Sequence, residues 1–164
     1  MIKMHIWTLD KWRKIYDLSD PKHRSGMRLR FDKNVDPEVK RACKEFAAWL
    51  SKQYFFPIRV PVYIKFGEKI RANDGEMASA TCLIPESKQM EPYIRIATGD
   101  YYTLREDVGQ DNALAAILSS MTHELTHYFQ WVNDLKLTDI GCEKQARKYV
   151  DYILDDYAQT REHP

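Results

Sequence analysis

No stretch of this sequence is apolar for long enough to cross a membrane, and the opening Met1-Ile2-Lys3-Met4-His5-Ile6-Trp7-Thr8-Leu9-Asp10 lacks the continuous apolar segment of a secretory signal. A cytoplasmic protein without a membrane partner is therefore expected. Charge of one sign is also missing: 25 Lys and Arg stand against 24 Asp and Glu, a formal net charge of +1. Strong nucleic-acid binding is not expected on that balance, although Lys22-His23-Arg24-Ser25-Gly26-Met27-Arg28-Leu29-Arg30 forms a local basic run, read as a solvated loop. The cysteines are scattered, at 43, 82 and 142, and odd in number, which argues against a disulfide framework and suits free thiols in a reducing compartment. Linkers rich in glycine, proline or serine, internal repeats and low-complexity segments are absent. The 164 residues thus suit one domain with a real core, and a monomer is expected.

What the sequence does carry is His123-Glu124-Leu125-Thr126-His127. On a helix, residues four apart lie one turn apart on one face, so the two imidazoles can grip a single ion at the roughly 2.0–2.1 Å of zinc–nitrogen bonds. Glu124 sits about 100° round the helix from His123, outside the ligand positions but near the water such an ion would hold, where a general base is wanted. The surroundings favour a site. Asp111 to Asn133 reads as one helix capped by Asp111 or Asn112, with Leu114, Ile117, Leu118, Met121, Leu125, Phe129 and Val132 on an apolar stripe. A second stripe, Ala116, Ser119, Ser120, His123, His127 and Gln130, is small or polar throughout, and Leu114 to Met121 holds no charge. Both faces read as covered, as for a central helix that looks into a cleft.

A catalytic zinc takes three protein ligands as a rule. A third histidine six residues after His127 is ruled out, because position 130 is Gln and position 133 is Asn. Glu143 is the better candidate. A linker from Asp134 to Ile140 precedes it, Thr138 or Asp139 can cap a new helix, and Glu143 then shares a face with Ala146, Val150, Ile153, Leu154 and Tyr157. A carboxylate on an apolar stripe is costly without a partner, and a zinc ion is a sufficient one. The competing reading is a first-turn acid favoured by the helix dipole, with Asp139 and Cys142 as rivals for the ligand role.

His123-Glu124-x-x-His127 followed by Glu143-x-x-Ala146 resembles the gluzincin branch of the zincin metallopeptidases, above all small members such as the minigluzincins and the ImmA/IrrE-like peptidases. The resemblance covers Asp111 to about Tyr157. It implies one zinc per chain held by His123, His127 and Glu143, with Glu124 as catalytic base. Larger gluzincins often carry an acid four residues after the third ligand to orient a histidine, whereas that place is Arg147 here. A second electrophile is sought in Tyr149 first, with Tyr152, Arg147, Tyr101 and Tyr102 as alternatives.

The remaining elements suit an α+β, zincin-like single domain. Asp36-Pro37-Glu38 starts a backing helix whose stripe Val39, Ala42, Cys43, Phe46, Ala47, Leu50 and Tyr54 carries it to about Gln53. Extended runs follow at Arg59–Phe66, Met77–Ile84 and Tyr93–Thr98, making a small mixed sheet before the active-site helix and the C-terminal glutamate helix. Tyr93–Thr98 is expected at the sheet edge, where the resemblance implies that substrate adds as a strand. Residues 1–35, with Trp7, Trp12 and Tyr16, are expected to cover or flank a catalytic domain at 36–160, or to block its cleft. The function expected is zinc-dependent hydrolysis of a peptide or protein substrate. The alternatives are a zincin-fold regulatory or protein-binding module, against which Glu124 counts, and a DNA-associated protein using the Lys22–Arg30 run.

Overall fold

Asp36 accepts the Glu38 backbone N–H at 2.8 Å and Pro37 occupies the first helical position, so the long backing helix α1 begins where local chemistry dictates, at Pro37, and runs to Gln53. The structure is a computed structural model that describes residues 5–72 and 74–164. Six strands follow the chain as β1 (Met27–Phe31), β2 (Val60–Lys65), β3 (Ile70–Arg71), β4 (Met77–Ala78), β5 (Ala80–Leu83) and β6 (Tyr93–Ala97). Three further helices complete the fold: α2 (Tyr101–Val108), α3 (Gln110–Val132) and α4 (Asp139–Ala158).

The main sheet has the order β1-β2-β6-β5, with β1, β2 and β6 parallel and β5 antiparallel to β6. Val60, Val62, Ile64, Ile94 and Ile96 are fully buried, whereas Tyr63, Tyr93 and Arg95 stand on the other face. The helices therefore cover one face only, the arrangement of an α+β domain. The core is the layer between that face, α1 and α3, filled by Phe46, Leu50, Leu118, Met121, Leu125 and Phe129. Among the described residues no helix is long and apolar enough to cross a membrane, and Cys43, Cys82 and Cys142 are free.

Three expectations need correction. The edge strand on the site's side is β5, not Tyr93–Thr98; β6 is central, bonded on both sides, because β5 turns back antiparallel along it. The basic run is not a solvated loop throughout: Met27–Arg30 belongs to β1, whose register pairs Met27 with Val60 and Phe31 with Ile64. Short polar–apolar alternation carrying three arginines in seven positions hides a strand whose second face is open to solvent. Third, the described part of residues 1–35 does not merely flank a domain beginning at 36. Trp7 and Trp12 lie in the core, Trp7 Nε1 donates to Thr126 Oγ1 at 3.1 Å, and the Trp12 N–H donates to Asn133 Oδ1 at 3.3 Å.

Helix α2 is a further element that periodicity did not reveal, since only Tyr101 among its eight residues is buried. Its presence displaces the expected cap of α3. The residue between the helices is Gly109, at φ 88° and ψ 163°, backbone that only glycine adopts freely. Asp111 instead pairs with His163 at 2.7 Å, and Asn112 donates to the Val108 carbonyl at 2.9 Å.

Candidate metal centre

The 3.6-residue period of α3 places His123 and His127 about 40° apart, Gln130 beside them, Glu124 about 100° to one side and Thr126 about 60° to the other. Each direction meets a different element. Glu124 turns toward edge strand β5, close enough for its charge to help hold the Cys82 thiol well above its usual range, after the larger effect of burial. Thr126 meets Trp7, and Gln130 meets α4. Tyr128 locks the helix to the loop before β2: its hydroxyl donates to the Ile58 carbonyl at 2.6 Å and accepts the Ile58 N–H at 3.0 Å. The histidines are thus carried on a helix tied to β5, to the N-terminal segment and to the loop before β2, and they face α4.

Helix α4 brings the third group. Thr138 caps it, its hydroxyl accepting the Gly141 N–H at 3.0 Å, and Ala146, Tyr149, Ile153 and Tyr157 are its buried stripe. Glu143 stands beside that stripe and is half exposed, not buried as its neighbours suggested; the carboxylate emerges into the cleft between α4 and α3. Its Oε2 lies 3.0 Å from His123 Nε2 and its Oε1 2.9 Å from His127 Nε2, while the two Nε2 atoms are 3.3 Å apart. Ligand atoms on a tetrahedral zinc with bonds of about 2.0–2.1 Å lie about 3.3 Å from one another, so the three residues fit such an ion. Burial first, and then the neighbouring His127, hold His123 below the usual histidine value against the opposing pull of Glu143, which favours the neutral, ligating imidazole. Asp139 and Cys142 line the same cleft but stand outside the group of three.

Glu124 is 8% exposed, and among the described residues nothing donates a hydrogen bond to it. Burial pushes its carboxyl up to about 7, with His127 opposing and Glu143 adding to the shift. A carboxyl poised near neutral pH beside three convergent ligand groups is suited to accept and return a proton. The shift also has a consequence for stability. Between its unfolded value near 4.5 and its folded value near 7, the native state holds the proton more tightly, so rising pH weakens folding through this window. In metal-free protein, Glu124→Gln should remove that penalty. Urea melts should show the variant gaining on wild type from about pH 5 to about pH 8, by on the order of 2 kcal/mol. A constant difference across that range would mean the carboxyl is not perturbed.

The cleft beside the group has a volume of about 410 Å³ and is walled by Cys82, Ile84, Trp131, Leu135 and Cys142 together with His127 and Glu143. No residue of 5–35 lines it, so the described N-terminal segment does not block it. Lys88 closes one end, its ammonium 4.6 Å from the centre of the Trp131 ring and bonded to the Trp131 carbonyl. The structure does not gather the proposed electrophile Tyr149 into this cleft. Its ring is buried against His5 and Tyr152, and its hydroxyl accepts the Ile6 N–H at 2.9 Å. Tyr102 donates to Asp36 at 2.6 Å, Tyr101 is in the core, and Tyr152 is exposed. Arg147 is the candidate whose charge is felt at His123. Gln130 was missed as a site residue, although its place on the polar stripe three residues after His127 was the signal.

No family model matches the chain, and no curated protein matches it. Among solved structures it is similar to TM1509 from Thermotoga maritima, known from a solution structure, with a TM-score of 0.51 and 10% identity over 82% of this chain and 93% of that one. At that identity the likeness shows the fold alone.

Proposed function

We propose that this protein is a zinc-dependent metallopeptidase that hydrolyses a peptide or protein substrate. The observation that carries the reading is the convergence of His123 Nε2, His127 Nε2 and the Glu143 carboxylate within 2.9–3.3 Å, with the buried carboxyl of Glu124 near enough to feel the charges of His127 and Glu143. The resemblance of His123-Glu124-x-x-His127 and Glu143-x-x-Ala146 to gluzincins supports it. When bound, zinc supplies a Lewis acid that polarises a carbonyl and makes water nucleophilic near neutral pH. Glu124 takes the proton from the attacking water and returns it to the leaving amine. For the group that steadies developing negative charge the reading takes Arg147, one turn after Glu143 on α4, whose charge is felt at His123. The walls Ile84, Trp131 and Leu135 receive an apolar part of the substrate.

Elemental analysis of purified protein should find close to one zinc per chain, and His123→Ala or His127→Ala should each abolish tight binding. Glu143→Ala should weaken binding far more than Asp139→Ala or Cys142→Ala. Protein that takes up no zinc at neutral pH would overturn the reading, and equal effects of the three substitutions on α4 would displace Glu143 as third ligand.

A further inference from the structure

Gln130 lies one turn beyond His127 on α3 and is 5% exposed. Its side-chain Nε2 donates to the Cys142 backbone carbonyl at 3.0 Å and to Gln145 Oε1 at 2.9 Å, both on α4. A backbone carbonyl can only accept, so this contact fixes which end of the amide faces α4. The Oε1 end is thereby turned to His127, where it lies 2.8 Å from Nδ1. An amide oxygen can also only accept, so the contact requires a hydrogen on Nδ1. A neutral imidazole with its hydrogen on Nδ1 presents a lone pair at Nε2, the atom that faces His123 and Glu143; without a metal the Glu143 carboxylate, an acceptor 2.9 Å from Nε2, competes with Gln130 for that hydrogen.

We propose that Gln130 is the positioning residue of the centre: it selects the Nδ1–H tautomer of His127, and through Cys142 it holds the turn of α4 that carries Glu143 opposite that imidazole. The inference rests on the metal-binding reading of the site. One amide sets both the protonation of one ligand and the distance of another, since Cys142 immediately precedes Glu143. Groups that orient ligating histidines in this way contribute about 10- to 100-fold in metal affinity.

The test has two readouts. Long-range proton–nitrogen correlation spectra of metal-free Glu143→Ala protein with ¹⁵N-labelled histidine, recorded as a pH series, report the tautomer directly, with no carboxylate left to draw the hydrogen to Nε2. In that background His127 should carry its hydrogen on Nδ1, and adding Gln130→Leu should remove that preference. In chelator competition Gln130→Leu should bind zinc about 10- to 100-fold more weakly, while Gln130→Glu, which keeps an acceptor for Nδ1–H but cannot donate to the Cys142 carbonyl, should recover only the part of the loss that comes from His127. His127 protonated on Nε2 in the Glu143→Ala background would overturn the proposal even if Gln130→Leu failed to fold. So would undiminished zinc affinity in Gln130→Leu, or an equal loss in both variants, which would reduce Gln130 to a helix-docking contact. Because the tautomer is read without metal, a wild type that takes up no zinc would sink the peptidase reading alone and leave this assignment to the spectra.

Discussion

Glu124→Gln is expected to leave zinc in place and to lower peptide hydrolysis by about 10²- to 10⁴-fold, the usual worth of a positioned proton-transfer group. The substitution preserves size and shape and removes only the ability to accept a proton at neutral pH. Little else depends on the carboxylate, since no described residue donates a hydrogen bond to it, and it stands outside the three groups that converge on one point. Loss of activity therefore cannot be assigned to a collapsed site if zinc content and the thermal melt are retained. A mixed pool of unstructured peptides, followed by mass spectrometry for new termini, provides the assay. Equal cleavage by wild type and variant would show that the activity lies elsewhere. Loss of zinc from Glu124→Gln would make Glu124 a ligand and end its assignment as base, and zinc-loaded wild type that cuts nothing in the pool would count against a peptidase of broad reach.

Removal of residues 1–35 is expected to abolish folding and not to unmask activity. The deletion takes away β1, and with it the parallel ladder from Met27–Val60 to Phe31–Ile64, exposing the β2 edge. It also removes Trp7, Trp12 and Tyr16 from the core, leaving voids against Phe56 and Phe129, which Trp7 meets at ring distances of 6.5 and 4.9 Å. Truncating one buried aromatic costs about 3–5 kcal/mol, whereas an entire domain is stable by only about 5–15 kcal/mol. Circular dichroism should therefore show no cooperative melt for a chain beginning at Asp36. A truncated protein melting cooperatively within a few degrees of the full chain would show that the segment is a dispensable cover.

These two outcomes depend on parts of the protein that were unequally legible. Helix α3 and its two stripes could be read because a 3.6-residue period is written in adjacent residues: Leu114, Leu118, Met121, Leu125 and Phe129 are all buried, and the polar stripe does carry His123 and His127. The same holds for α1, with Asp36 and Pro37 at its start, and for Thr138 at the start of α4. Strand β1 was hidden because its alternating arginines resemble a basic loop, and α2 because an eight-residue helix with one buried side chain has no stripe to detect. Tyr149 had the right residue type and the right helix, but its hydroxyl is engaged by the Ile6 backbone, 143 residues away in the chain.

The sequence by itself determined the periodic helices, their caps and the pairing of two imidazoles on one helical face, because each of these follows from residues within a turn or two of one another. Only the tertiary structure decided that β5 and not β6 forms the edge, that Trp7 belongs to the core, that Glu143 and neither Asp139 nor Cys142 joins the histidines, and that Gln130 faces His127 Nδ1. The physical reason is that these outcomes are contacts between distant segments: the packing of α4 against α3 sets which carboxylate reaches the imidazoles, and no local propensity encodes it.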